Sequence, residues 1–212
     1  MRIIAGRLRG RRLSCLRGRR VRPTSDRVRE ALFQCLQSRY GVVWEDVVAM
    51  DFFAGSGAMG IEALSRGACA AAFVESDRNV FSTLKKNVDT CGLADRASLF
   101  LCDVFKGIAR DLFRKAGYPP VTLLFADPPY GKGLSARFLQ AVSSKGSFLA
   151  QEGMLLVEDR KNVVLDSALR GREVDLELKE VRVYGDTSLF IYFFRKRSGE
   201  YSMDSPGQSC QK

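Results

Sequence analysis

The chain has 212 residues, 46% of them hydrophobic, a formal net charge of +10 and no histidine. This length fills one core with a small appendage, and the missing imidazole excludes Ser-His-Asp and Cys-His nucleophile systems, His-ligated metals and His-x-Glu nucleobase deaminases. Six scattered cysteines (Cys15, Cys35, Cys69, Cys91, Cys102 and Cys210) contain no C-x-x-C pair, and no apolar stretch approaches the ~18 residues of a membrane span, so the expectation is a soluble cytoplasmic protein with reduced thiols and no metal.

Charge is unevenly placed. Residues 1–22 hold nine arginines and no acid, which points to a docked polyanion, nucleic acid above all, with affinity that falls steeply with salt. Arginine also makes forked contacts to phosphate. An organelle transit peptide would share the arginines but would be serine-rich, and a solvated basic arm remains the plain alternative. "RIIAGRLRGRRLSCL" places apolar Ile3, Ile4, Leu8, Leu13 and Leu16 around Gly6 and Gly10, predicting a short β-ribbon. "RPTSDRVREALFQCLQSRYG" predicts a helix whose apolar stripe is Val28, Ala31, Leu32, Cys35 and Leu36, with Arg27, Arg29 and Glu30 on its solvated side. Residues 1–40 are therefore expected to form a basic extension.

Strands and helices then alternate. Apolar runs at Val47–Phe53, Ala70–Val74, Ser98–Leu101, Val121–Ala126 and Met154–Val157 are separated by helical segments at Ala58–Arg66, Arg78–Cys91, Phe105–Lys115 and Ser135–Ser143. The pattern predicts a parallel, doubly wound α/β sheet over residues 41–197. Val174–Tyr184 and Ser188–Arg195 predict a closing antiparallel hairpin, and residues 198–212 read as a disordered tail.

The strand ends carry the chemistry. "DFFAGSGAMG" is a strand followed by Gly55, Gly57 and Gly60 at a helix start, the spacing of a nucleotide-binding turn. A dinucleotide would place its pyrophosphate on that helix end. S-adenosylmethionine has no phosphate and a cationic sulfonium, so its turn should carry an acid, and Asp51 is one. Glu75, or Asp77, ends the second strand where ribose hydroxyls would sit. Asp103 ends the third, placed to accept from an adenine amine. Asp127 ends the fourth, in "LLFADPPYGKG", where Pro128 stops the strand. One such acid is commonly a turn or cap residue, whereas four at successive strand ends form a pattern.

As a set these residues resemble the class I S-adenosylmethionine-dependent methyltransferases, and Asp-Pro-Pro-Tyr is similar to the signature of enzymes that methylate planar amines. Such an amine has its lone pair delocalised into the ring, and Asp127 with the Pro128 carbonyl could accept its two N–H groups while Tyr130 stacks on the base. "MRIIAGRLRGRRL", "RPTSDRVREALF", "DFFAGSGAMGIEALSRGA", "FVESD", "DPPYGKG" and "RVYGDTSLF" together resemble the bacterial small-subunit ribosomal RNA guanine-N2 methyltransferases. That resemblance implies a seven-stranded class I sheet and a monomer acting on one guanine of 16S ribosomal RNA in assembled or assembling 30S subunits. By position it implies Asp51, Gly55, Gly57, Glu75 and Asp103 for the cofactor, Asp127, Pro128 and Tyr130 for the guanine, and Arg9, Arg11, Arg12, Arg22 and Arg29 for RNA. Thr24 and Asp26 belong to the same block. A DNA adenine-N6 or cytosine-N4 methyltransferase, an NAD-dependent oxidoreductase and a catalytically dead RNA-binding module are the alternatives weighed.

Overall fold

The computed structural model describes residues 1–15 and 26–197. Arg22, Thr24 and the tail expected at 198–212 lie outside the described residues. Helix α1 (Asp26–Ser38) precedes a single 3-10 turn (Trp44–Asp46), after which strand and helix alternate: β1 (Val48–Phe52), α2 (Ala58–Arg66), β2 (Ala70–Glu75), α3 (Arg78–Thr90), β3 (Ala97–Leu101), α4 (Val104–Ala109), α5 (Leu112–Lys115), β4 (Val121–Ala126), α6 (Leu134–Ser144) and β5 (Leu149–Arg160). Three antiparallel strands close the chain, β6 (Ala168–Arg170), β7 (Val174–Tyr184) and β8 (Thr187–Lys196).

All eight strands form one sheet in the order β3-β2-β1-β4-β5-β8-β7-β6. The first five pair in parallel and β5 turns the sheet antiparallel by pairing with β8. The resemblance implied seven strands. The extra one, β6, is a three-residue edge strand on β7, too short for an apolar period to announce it. Another difference lies at Phe105–Lys115, where one helix was expected. Asp111 adopts a left-handed φ of 53° and divides the segment into α4 and α5, its carboxylate held by Ser147 Oγ and by Arg114 Nε at 2.6 Å.

Side chains alternate across the sheet. Ala49, Phe73, Leu123, Phe125 and Leu156 pack under α1, α2 and α3 with Leu32, Phe33, Ile61 and Leu84. Met50, Phe52, Val74, Leu124 and Val157 pack on the other face with Ile108, Phe113, Phe138 and Val142 of α4, α5 and α6. A three-layer sandwich results, with two cores. Asp51 and Asp127 continue the odd-numbered rows of β1 and β4, so both carboxylates point toward the α1–α3 layer.

The N-terminal segment belongs to that layer. Its ribbon is one antiparallel bridge, Arg2 with Arg12, and Ile3, Leu8 and Leu13 are buried among the residues of α1 and α2. The fully buried Glu62 of α2 accepts from Ile4 N (2.8 Å) and Ala5 N (3.0 Å) and pairs with Arg66 at 2.9 Å. Ser65 accepts from Leu8 N at 3.0 Å and donates to the Ala5 carbonyl at 2.6 Å. Ile3, Leu8 and Leu13 bury into the core while Arg7, Arg9, Arg11 and Arg12 stay exposed.

Candidate active site

A cavity of about 540 Å³ opens at the carboxyl ends of β1, β2 and β4, where the strand order reverses between β1 and β4 and where ligands bind in sheets of this kind. The volume is that of a small-molecule site. Asp51, Gly55, Glu75, Asp103, Asp127, Pro128 and Tyr130 all line it. Residues from four strand ends, far apart in sequence, thus meet on one surface.

The turn after β1 is held by acids. Asp51, 4% exposed, accepts from Gly60 N at 3.0 Å. Glu75 accepts from Gly55 N at 3.1 Å through one oxygen and from Ser76 N and Asp77 N at 2.7 and 2.9 Å through the other. Between Glu75 and Asp77 the structure chooses Glu75 for the cavity, since Asp77 caps α3 by accepting from Asn79 N and Val80 N. Asp103 combines two roles. It caps α4 through Lys106 N at 2.9 Å and lines the cavity.

Gly57 is not among the residues that line the cavity. It caps α2 with φ 81°, and a Cβ there would come within 2.5 Å of Leu84 Cδ1. Gly60 is spent on packing as well: its Cβ would meet the buried Phe73 ring at 2.4 Å. Backbone at the cavity turns left-handed at Gly55 (φ 57°) and at Phe53, whose φ of 58° is unusual for a bulky side chain and costs about 1–2 kcal/mol.

Electrostatically the site is acidic. Burial pushes Asp51 up to about 7, with the Gly60 N–H opposing and Glu75 reinforcing the rise. Asp127 is raised too, first by burial and then by the negative charges of Glu158, Asp51 and Asp159. Glu158, 6% exposed at the end of β5, accepts from Tyr130 Oη at 3.0 Å. Tyr130 lies 3.5 Å from Thr187 Oγ1, and the Arg160 guanidinium sits 5.7 Å from its ring centre. Burial raises the phenol proton affinity. Glu158 and Arg160 line the cavity, and reading the fifth strand end by the rule applied to the first four would have found Glu158. Met1 and Cys15 also reach the wall. Asn87 ties that side together through Ser14 O at 3.0 Å and Ser56 O at 2.9 Å.

The arginines expected to face RNA divide. Arg9, Arg11 and Arg12 are exposed, with Arg11 donating to the Thr90 carbonyl. Arg29 is not on the solvated side of α1, because Arg29, Leu32, Phe33 and Leu36 form the buried stripe and its side chain is 1% exposed. It cannot be part of an exposed basic surface.

A five-stranded parallel sheet with an antiparallel addition, cradling an acid-lined cavity at its switch point, is a Rossmann-like methyltransferase fold. The chain matches the family model described as "Conserved hypothetical protein 95" over residues 1–193 and belongs to that family. It is 34% identical over 204 residues to ribosomal RNA small subunit methyltransferase D of Escherichia coli K12, spanning 96% of this chain and 94% of that one. Similarity of 32% over 192 residues relates it to the Bacillus subtilis protein YlbH, described as a proposed rRNA methyltransferase, covering 91% of this chain and 98% of the relative. The solved Escherichia coli protein yhhF, described as a proposed methyltransferase, matches with a TM-score of 0.75 at 32% identity over 93% of this chain and 99% of its own.

Proposed function

We propose that this protein transfers a methyl group from S-adenosylmethionine to the exocyclic N2 of a guanine in 16S ribosomal RNA, within assembled or assembling 30S subunits. One observation carries the choice of cofactor. The N–H groups of Gly55 and Gly60, at the start of α2 where a pyrophosphate would sit, are already taken by the carboxylates of Glu75 and Asp51. Negative charge at that helix end repels phosphate and attracts a sulfonium, which argues against a dinucleotide. The name of the Escherichia coli relative supports the ribosomal substrate.

When bound, S-adenosylmethionine supplies an electrophilic methyl group. The protein does the rest by placement and electrostatics. Asp127 and the Pro128 carbonyl accept the two N–H groups of the guanine amine, which favours a localised lone pair. Tyr130, held through its hydroxyl by Glu158, offers its ring to the base. A cation bound in the cavity favours ionised Asp127, and the proton released from the amine then finds a carboxylate whose affinity for it is already raised. No imidazole is required. If the guanine lies in a duplex, it must be extruded first.

The test is transfer of a radiolabelled methyl group to 30S subunits from a strain lacking this enzyme, beside naked ribosomal RNA and duplex DNA, followed by nucleoside analysis. N2-methylguanosine from ribosomal substrates is expected. Methylated adenine or cytosine in DNA would overturn the substrate while keeping the fold, and no methyl transfer to any substrate would overturn the reaction.

A further inference from the structure

The transfer step described above draws on Asp127, Pro128 and Tyr130 and gives Glu158 no contact with the base. Glu158 is nevertheless 6% exposed and lines the cavity, where a carboxylate is costly to hold away from water. The sheet fixes its position. Phe125 of β4 and Leu156 of β5 are register partners, and both face the α1–α3 layer. Side chains return to the same face at every second residue of a strand, so two positions further on Asp127 and Glu158 stand side by side, on chains about 4.8 Å apart. Their proximity is also electrical: after burial itself, the Glu158 charge is the leading cause of the raised proton affinity of Asp127. Leu156 and Leu189, the latter the partner of Glu158 in β8, line the same part of the cavity. The two acids therefore rise from an apolar floor, as suits a flat base.

We infer that Glu158 is the residue that selects guanine, by accepting the ring N1–H beside the amine that Asp127 and the Pro128 carbonyl hold. The inference rests on the guanine-N2 reading above. It supplies what the amine-holding corner lacks, because guanine, adenine and cytosine all carry an exocyclic amine. What separates them is the ring nitrogen next to that amine, on the edge by which an extruded base is recognised. In guanine it bears a hydrogen and donates. In adenine and cytosine it bears a lone pair and accepts. An ionised carboxylate only accepts, so Glu158 gains a charge-assisted hydrogen bond from guanine and repels the lone pair of the other two. Tyr130 steadies it, donating from Oη to Glu158 Oε1 at 3.0 Å. A carboxylate has about four acceptor positions, enough for the phenol and the base together.

The experiment uses 30S subunits reconstituted with 16S ribosomal RNA in which the guanine identified as the methyl acceptor is replaced by 2-aminopurine. That base keeps the amine but has a lone pair on N1. The wild-type protein should methylate it with kcat/KM about 10²-fold or more below guanine, the scale on which a site built around a hydrogen bond rejects a base that cannot make it. Glu158→Gln keeps the size and still accepts from Tyr130, and its amide hydrogens donate to a lone pair. The variant should therefore methylate guanine more slowly and bring the two bases within about tenfold of each other. The missing O6 of 2-aminopurine is common to both proteins and cancels when their ratios are compared. If Glu158 does no more than orient Tyr130, the variant slows both bases alike and the ratio stays, which overturns the assignment. Loss of all turnover in a variant that still binds S-adenosylhomocysteine also overturns it, by making Glu158 a requirement of the reaction rather than of base choice. Equal wild-type rates on the two bases overturn it with no variant at all, so poor folding of Glu158→Gln does not protect the inference. If the wild type leaves guanine unmethylated, the guanine-N2 reading itself has failed, whereas transfer to both bases alike removes only the role of Glu158.

Discussion

Asp51 should make the protein less stable as pH rises, and Asp51→Asn should abolish that dependence. Its carboxyl, raised from an ordinary value near 3.8 to about 7 by burial, keeps its proton in the folded state across a range where the unfolded chain has lost it. With a folded pKa above the unfolded one, its contribution is intact below about pH 4 and is lost progressively as pH climbs to about 7. Raising the carboxyl that far corresponds to about 4 kcal/mol at pH 8. In a chain of this length that is on the order of 10 °C in melting temperature. Asparagine keeps the shape and can still accept from Gly60 N, although its amide hydrogens add a cost that does not vary with pH. The diagnostic quantity is therefore the change in the stability gap between variant and wild type, followed by guanidinium unfolding at pH 4, 6 and 8. The gap should shift in favour of the variant by about 4 kcal/mol across that range, and the same variant should bind S-adenosylmethionine more weakly because the cation loses its partner. A gap that stays constant with pH would refute the argument that burial penalises this charge.

Asp127→Asn removes the acceptor charge but little volume, so methyl transfer should fall by about 10²-fold or more while calorimetric cofactor affinity changes little; retained turnover would take Asp127 out of the reaction. Glu62→Ala leaves Ile4 N, Ala5 N and Arg66 without their buried partner, at a cost of about 3–5 kcal/mol, and amide exchange over residues 3–13 should accelerate more than in β1. Uniform exchange would show that Glu62 does not anchor the segment. Replacing Arg9 and Arg12 together with alanine should flatten the salt dependence of RNA binding by about 1.4 in log–log slope, roughly 0.7 for each single-strand phosphate that is no longer neutralised. Arg11 should contribute less, its guanidinium being engaged with Thr90, and an unchanged slope in the double variant would make the basic segment a bystander.

The parallel sheet was legible because β1, β2 and β4 are short, mostly apolar runs, and a strand buried on both faces needs no alternation to be recognised; β3, half-buried at the edge, was legible from its apolar run alone. The acids at the strand ends were legible for the same reason: Glu75, Asp103 and Asp127 stand where an apolar run and the sheet stop together, and Asp51 interrupts its run one residue before the end of β1. Position did not reveal use. Gly57 and Gly60 fit a ligand-binding spacing, but what they meet is Leu84 and Phe73, side chains that lie a dozen or more positions away. Arg29 was misread because an arginine heading an apolar stripe is assigned by its charge to water. The spacing 29, 32, 33 and 36 places it inside, where it lines the cavity.

The attachment of the first residues to α2 also orders events during synthesis. Ile4 meets Glu62 across 58 positions, Ser14 meets Asn87 across 73, and Arg11 reaches Thr90 across 79. Residues 1–15 are thus among the last to be locked, since their anchors follow them in the chain and must emerge and fold before they can dock. Until α3 is complete, the arginine-rich segment is tethered to a growing polypeptide beside the negatively charged RNA of the ribosome that is making it. Docking then draws residues 1–15, with exposed Arg7, Arg9, Arg11 and Arg12, onto the folded surface and in the same motion completes the cavity wall with Met1 and Cys15, so these arginines and the binding site fall into place together.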